Sequence, residues 1–150
     1  MTTKQLLKIG TSGNWEGNLK TSVSARDFSP FIVDEPESLG GTNEGPNPIE
    51  YVLGGLTGCT LVMIALIAKE KNFSFQGVEF KNNGTIDLRG LMGVEGVSPH
   101  FQSVKFEAIF TTDESDSRIE ELKEEVEKRC PVFNLIKDAG VKIESNWYKK

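Results

Sequence analysis

EYVLGGLTGCTLVMIALIAKE, residues 50–70, is the most apolar run of the chain, yet it carries three glycines, two threonines and a cysteine. Three structures fit such a run: a membrane span, a buried structural helix, or a helix built around a reactive thiol. Tyr51 to Ala68 is uncharged for 18 residues, the lower edge of a transmembrane signal. Gly54, Gly55, Thr57, Gly58 and Thr60 dilute its hydrophobicity, the flanks lack an aromatic belt, and the sequence beyond it alternates apolar and charged residues. These features set the membrane reading aside. At 100° per residue Val52, Gly55, Leu56, Val62, Met63 and Leu66 share a face with Cys59, and Leu53, Leu61 and Ile64 make the opposite face apolar as well. A helix apolar all round is expected to be a buried central helix. Its three glycines together cost about 3 kcal/mol relative to alanine. They would let another backbone approach closely near the cysteine.

Working outward, the helix is expected to start at Pro48, a favoured first-turn residue, with Asn47 as its N-cap, and to run to about Lys71. Before it, DEPESLGGTNEGPNP (34–48) concentrates turn formers and reads as a loop. Trp15 to Asp34 reads as extended strands, with Pro30 at an edge or bulge. After the helix, alternation predicts strands over 73–81, 85–89 and 104–112, the last placing Val104, Phe106, Ala108 and Phe110 on one face. Asn83-Gly84 is a hairpin or bend signal, and residues 90–101 read as a flexible loop. Ser117-Arg118-Ile119-Glu120 has capping-box spacing and opens a helix with the stripe Ile119, Leu122, Val126 and Cys130. Pro131 ends that helix and starts a short second one, closed by Gly140, with Cys130 as its N-cap. A last strand over 141–148 completes an α+β order with antiparallel pairing, in one domain over residues 1–150. Both tryptophans, Trp15 and Trp147, fall on strands and are expected in the core.

At 150 residues the chain can bury about 70% of its unfolded surface, so neither a structural metal nor a disulfide is required. A net charge of −5 argues against nucleic acid as a partner. The N-terminus has no apolar segment of signal-peptide length, and a cytoplasmic protein is expected. In a reducing compartment Cys59 and Cys130, 71 positions apart, are expected to be thiols rather than a permanent bridge, and their spacing matches no zinc motif. No Gly-x-Ser-x-Gly, P-loop, His-Glu-x-x-His or Gly-x-Gly-x-x-Gly pattern occurs. The single histidine, His100, reads as a solvated loop residue, and the glutamates of 120–127 as a solvated helix face.

Chemistry therefore falls to the cysteines. Cys59 is either a small buried hydrophobe or a nucleophile. Cys130 at a helix N-cap would have a lowered thiol pKa, unless it simply completes a buried stripe.

GGTNEGPNPIEYVLGGLTGCT (40–60), followed far downstream by RCPVFN (129–134) and joined by IDLRGLMG (86–93), resembles the OsmC/Ohr family of osmotically inducible and organic hydroperoxide resistance proteins. The resemblance extends from about Phe28 to the end of the chain. It implies an α+β OsmC-like fold, with an antiparallel sheet, a buried central helix carrying Cys59, and two chains intertwined as a homodimer with active sites at their interface. It further implies cysteine-based reduction of organic hydroperoxides in oxidative-stress defence. Cys59 would attack the peroxide and become a sulfenic acid; Cys130 would condense with it to a disulfide, for which Cα atoms must come within about 5.5 Å. An external dithiol of the dihydrolipoamide type would reduce that disulfide; no bound cofactor is implied. In the family an arginine steadies the thiolate and a glutamate directly after the Asn-Pro proline holds that arginine. Here Ile49 follows Pro48 and Glu50 comes one residue later, so Glu50 and Arg26 are the candidates for those two roles. Nine residues of unbroken helix put Glu50 about 180° from Cys59. Phe133, where many relatives carry a small polar residue, makes the surroundings of Cys130 more apolar. Two other functions fit the same residues: a non-enzymatic module holding a small hydrophobic ligand, and a stoichiometric redox sensor.

Overall fold

Residues 50–70 do fold as helix. In the computed structural model, which describes residues 2–150, helix α1 runs Pro48–Glu70. Its start is a capping box: the Asn47 side-chain oxygen accepts from the Glu50 N–H at 2.8 Å, and the Glu50 carboxylate accepts from the Asn47 N–H at 2.8 Å. The chain divides into two compact units, the first reaching to Val52 and the second spanning Leu53–Lys150.

The first unit holds an antiparallel sheet in the order β1 (Ser12–Gly17), β2 (Lys20–Ser24), β3 (Phe31–Val33). Gly17 and Asn18 turn β1 into β2 with positive φ, and Pro30 lies just ahead of β3. Trp15 is exposed rather than in the core; its indole N–H donates to the Asn18 carbonyl across the turn at 2.9 Å. A three-stranded sheet this small has no second layer of its own to cover that ring. The loop after β3 is organised by Asp34, a buried carboxylate. It accepts from the Thr42 hydroxyl at 2.6 Å and from the N–H groups of Glu35 and Glu44 at 2.8 and 3.1 Å. Gly41 belongs there because a Cβ would sit 1.9 Å from the Glu35 carbonyl oxygen.

The second unit packs the rest of α1, with α3 (Asp116–Arg129), on a sheet of β4 (Gly77–Ile86), β5 (Phe101–Thr111) and β6 (Lys142–Lys149). As the alternation predicts, Val104, Phe106, Ala108 and Phe110 of β5 are all buried. Ala108 and Phe110 join Ile64, Ile67 and Ala68 of α1 and Ile119, Leu122 and Val126 of α3 in one cluster. Each large side chain buried there contributes roughly 1.5–3 kcal/mol. Trp147 packs on Phe110 with ring centroids 5.7 Å apart, as expected of a core tryptophan.

Further expectations change. β4 and β5 pair antiparallel, but β6 lies parallel to β5, because α3 and α4 (Pro131–Asp138) form the crossover that a parallel pair needs. Asn83-Gly84 is not a turn. It lies inside β4, and no separate strand exists over 85–89: β4 ends at Ile86 and a single turn of helix, α2 (Leu88–Leu91), follows. The glycine is there because a Cβ would stand 2.4 Å from the ring of buried Phe101. The N-cap of α3 lies two residues before the predicted one: Ser115 accepts from the Arg118 N–H at 3.2 Å, and the Ser117 hydroxyl only bonds that of Ser115.

A last change concerns α1. It is not buried all round. Leu56, Thr60, Ile64, Ile67 and Ala68 are buried, whereas Val62 and Leu66 are 57% and 53% exposed on the other side. Among the described residues nothing lies within 4 Å of a Cβ built at Gly54, Gly55 or Gly58.

Candidate functional site

The site grows from the boundary between the two sides of α1. Leu56, Thr60, Ile64 and Ile67, at spacings of four, four and three, form the stripe that packs inward. Cys59 lies one residue, about 100°, off that stripe, and is accordingly half-buried. The preceding turn is tied to the sheet by Asn82 of β4, whose amide donates to the Leu53 carbonyl at 2.9 Å and to the Thr57 hydroxyl at 3.1 Å. That brace sets the rotation at which Cys59 leaves the core.

Cys130 comes from the junction of α3 and α4, where it is both the last residue of one buried stripe and the N-cap of the next helix. Pro131 at the first position of α4 forces the break. The Asn134 amide closes the end of α3 by donating to the carbonyls of Glu127 and Cys130 at 2.9 and 2.8 Å. Phe133 seats α4 on the sheet, edge-on to Phe106 at 6.2 Å. As a result Cys130 has no exposed surface at all.

The two cysteines belong to the same unit and are both free thiols, and Cys59 is among the groups that act on the Cys130 thiol. Burial pushes the Cys130 thiol above its ordinary pKa; the Phe133 N–H pulls it down, the neighbouring Cys59 pushes it up again, and the Thr60 hydroxyl pulls it down. The expectation that an N-cap position would lower this thiol is thus overturned, because desolvation outweighs the helix terminus. The unit thus holds one partly buried thiol and one fully buried thiol, and sulfenic acid formation followed by its capture needs two thiols of this kind.

Glu50 and Arg26 belong to the first unit, and each has a local engagement there. Glu50 completes the capping box of α1. Arg26 adopts a left-handed φ of 49° and lays its guanidinium over the Phe28 ring at 4.7 Å, a cation–π contact. Sequence reasoning missed Thr60 and Asn82. The first could have been found from its place in the Leu56–Ile67 stripe; the second had no signal, since its task depends on which strand lies beside α1.

Residues 41–146, well over half of the chain, match the OsmC-like protein family. The chain belongs to that family. No curated protein sequence matches it. Several solved structures do match this OsmC-like chain in fold. The OsmC-like protein from Mycoplasma pneumoniae superposes with a TM-score of 0.81 at 20% identity, covering 95% of this chain and 97% of that one. An organic hydroperoxide resistance protein OsmC from Legionella pneumophila gives 0.73 at 17% identity, covering 98% and 99%. The organic hydroperoxide resistance protein OhrB of Bacillus subtilis gives 0.67 at 17% identity, covering 95% and 99%. At such identities the likeness is one of fold, and the α+β OsmC-like architecture read from residues 40–60 and 129–134 is the one the chain has.

Proposed function

We propose that this OsmC-like protein reduces organic hydroperoxides with Cys59 as nucleophile and Cys130 as resolving thiol. The observation that carries the proposal is the pair of free thiols in one unit, partly buried Cys59 acting on fully buried Cys130. It is supported by family membership and by the organic hydroperoxide resistance proteins among the structural relatives.

In the proposed cycle the Cys59 thiolate attacks the distal oxygen of the hydroperoxide. The O–O bond breaks, its electron pair leaves with the alkoxide, and a proton makes the alcohol. Cys59 is left as a sulfenic acid. The Cys130 sulfur then attacks the Cys59 sulfur, the hydroxyl leaves as water with the Cys130 proton, and a disulfide joins the two. An external dithiol returns both thiols by exchange. The apolar residues flanking Cys59 on α1 favour bulky organic peroxides over hydrogen peroxide.

A second copy of the chain is part of the proposal. Val62 and Leu66 expose apolar surface on α1, and Gly55 and Gly58 leave its backbone bare there. Such a face suits a close-packed homodimer contact better than solvent. One equivalent of cumene hydroperoxide added to the reduced protein should remove both thiols, leave the mass lower by two hydrogens and yield a Cys59–Cys130 cross-linked peptide. Cys59→Ser should consume none. Peroxide consumption undiminished in Cys59→Ser, or two persistent thiols with the peroxide intact, would overturn the proposal.

A further inference from the structure

We infer that Asn134 is a positioning residue for the resolving thiol: its side-chain amide fixes the backbone of Cys130 between two helices. It thereby sets how readily the Cys59–Cys130 disulfide forms, and how much hydroperoxide the protein withstands before Cys59 is oxidised further. This deepens the paired-cysteine chemistry above and rests on it.

The need for such a residue begins with Pro131. The bond that ends α3 runs from the Cys130 N–H to the Val126 carbonyl at 2.8 Å. The next would run from residue 131 to the Glu127 carbonyl, but proline has no N–H to give. Cys130 itself is extended, with φ −70° and ψ 115°, and α4 starts immediately after it. A junction of that kind leaves the end of α3 short of donors and lets one extended residue act as a hinge. Asn134 supplies what is missing. Its side-chain nitrogen, which carries two protons, reaches the Glu127 carbonyl at 2.9 Å and the Cys130 carbonyl at 2.8 Å, with the Lys128 carbonyl at 3.3 Å. Its backbone N–H donates to the same Cys130 carbonyl at 3.0 Å. The residue thus ties the last turn of α3 to the first turn of α4 across Cys130. Buried Phe133, edge-on to Phe106 of β5, anchors the same turn to the core. Side chains of similar size do not reproduce the pattern: an ionised aspartate has no proton, serine has one, and leucine has the bulk without the donors.

A fixed backbone matters because two reactions compete for oxidised Cys59. In one, the Cys130 sulfur attacks the Cys59 sulfenic acid, the S–S bond forms, and the hydroxyl leaves as water with the Cys130 proton. In the other, a second hydroperoxide transfers its distal oxygen to the sulfenic acid, giving a sulfinic acid and an alcohol, and Cys130 stays a thiol. The first is intramolecular, so its rate follows the effective concentration of one sulfur at the other; the second follows the concentration of hydroperoxide. Holding Cys130 in place beforehand speeds the first and leaves the second unchanged.

Reduced wild type, Asn134→Leu and Asn134→Ser are treated with increasing cumene hydroperoxide, and intact mass separates the disulfide, lighter by two hydrogens, from the sulfinic acid, heavier by two oxygens. Asn134→Leu should give equal amounts of the two at about tenfold less hydroperoxide than wild type, and Asn134→Ser at roughly threefold less. In a Cys130→Ser background Asn134→Leu should leave sulfinic acid formation as it is, whereas a general loosening of the fold would change it there too. Without any hydroperoxide, equilibration in glutathione buffers should show the Asn134→Leu disulfide about tenfold easier to reduce. If Asn134→Leu does not fold, Asn134→Ser decides by the same two readouts. A folded variant with wild-type partition and wild-type glutathione equilibrium would overturn the role of Asn134, even if it melts earlier. A wild-type protein that forms no Cys59–Cys130 link with hydroperoxide or with diamide would overturn the paired-cysteine reading and the inference with it. One that forms the link with diamide but consumes no hydroperoxide would overturn the peroxidase proposal alone, and the glutathione equilibrium would still decide on Asn134.

Discussion

Gly55→Ala and Gly58→Ala ask what covers the open side of α1. For the chain by itself the answer can be worked out in advance. Both glycines are inside a 23-residue helix, and a Cβ at either position meets nothing within 4 Å among the described residues. Each substitution should then stabilise the chain by about 1 kcal/mol, the helix-propensity difference between glycine and alanine. For a domain of this size that is an increase in melting temperature of roughly 2–4 °C per substitution. If a second copy packs its backbone against this face, the added methyl groups instead force the two helices apart, an overpacking that costs about 1–3 kcal/mol. The homodimer proposal therefore predicts the opposite sign: both variants melt below wild type, and sedimentation equilibrium shows weaker self-association. Because the dimer forms by mass action, the wild-type melting temperature should also rise with protein concentration. Two variants that each gain about 1 kcal/mol, with melting independent of concentration, would refute the reasoning and leave an open helix face.

Two further outcomes are expected. Gly84→Ala should destabilise the chain by about 1–3 kcal/mol in thermal or urea denaturation, since its Cβ would fall 2.4 and 2.6 Å from two atoms of the Phe101 ring; a neutral variant would mean that Phe101 can move aside freely. Asp34 is held at a pKa of about 2, chiefly by the Thr42 hydroxyl and then, against the opposing effect of burial, by backbone N–H donors. Its folded-state pKa is thus below the unfolded one, so its contribution is complete above about pH 4, the ordinary aspartate value, and disappears as pH falls through about 2. Wild-type stability should fall over that window, and Asp34→Asn, less stable at neutral pH, should lose part of the slope; an unchanged slope would show that the carboxylate does not hold the 34–44 loop.

The two cysteines, the long helix between Pro48 and Lys71, the buried stripe of α3 and the break at Pro131 all follow from local chemistry: period, caps and a residue that cannot donate. Those features are encoded within a few residues of where they act, and so were legible in the chain read by itself. The family motifs over 40–60 and 129–134 likewise named the fold. What local chemistry could not decide is whatever depends on which element lies alongside. Asn83-Gly84 carries a turn signal, yet it lies within β4, where the pairing with β5 is continuous and Phe101 takes the space a side chain would need. Residues 141–148 read as a strand, but their parallel pairing with β5 comes from the two helices that carry the chain back across the sheet. The Cys130 thiol was expected low from its N-cap position and is raised, because desolvation depends on everything packed around the sulfur while the helix terminus acts from one direction only. Asn82, silent in the sequence, gains its meaning from the same cause: only the folded unit lays β4 beside α1, where the Asn82 amide can brace the Leu53 carbonyl and the Thr57 hydroxyl.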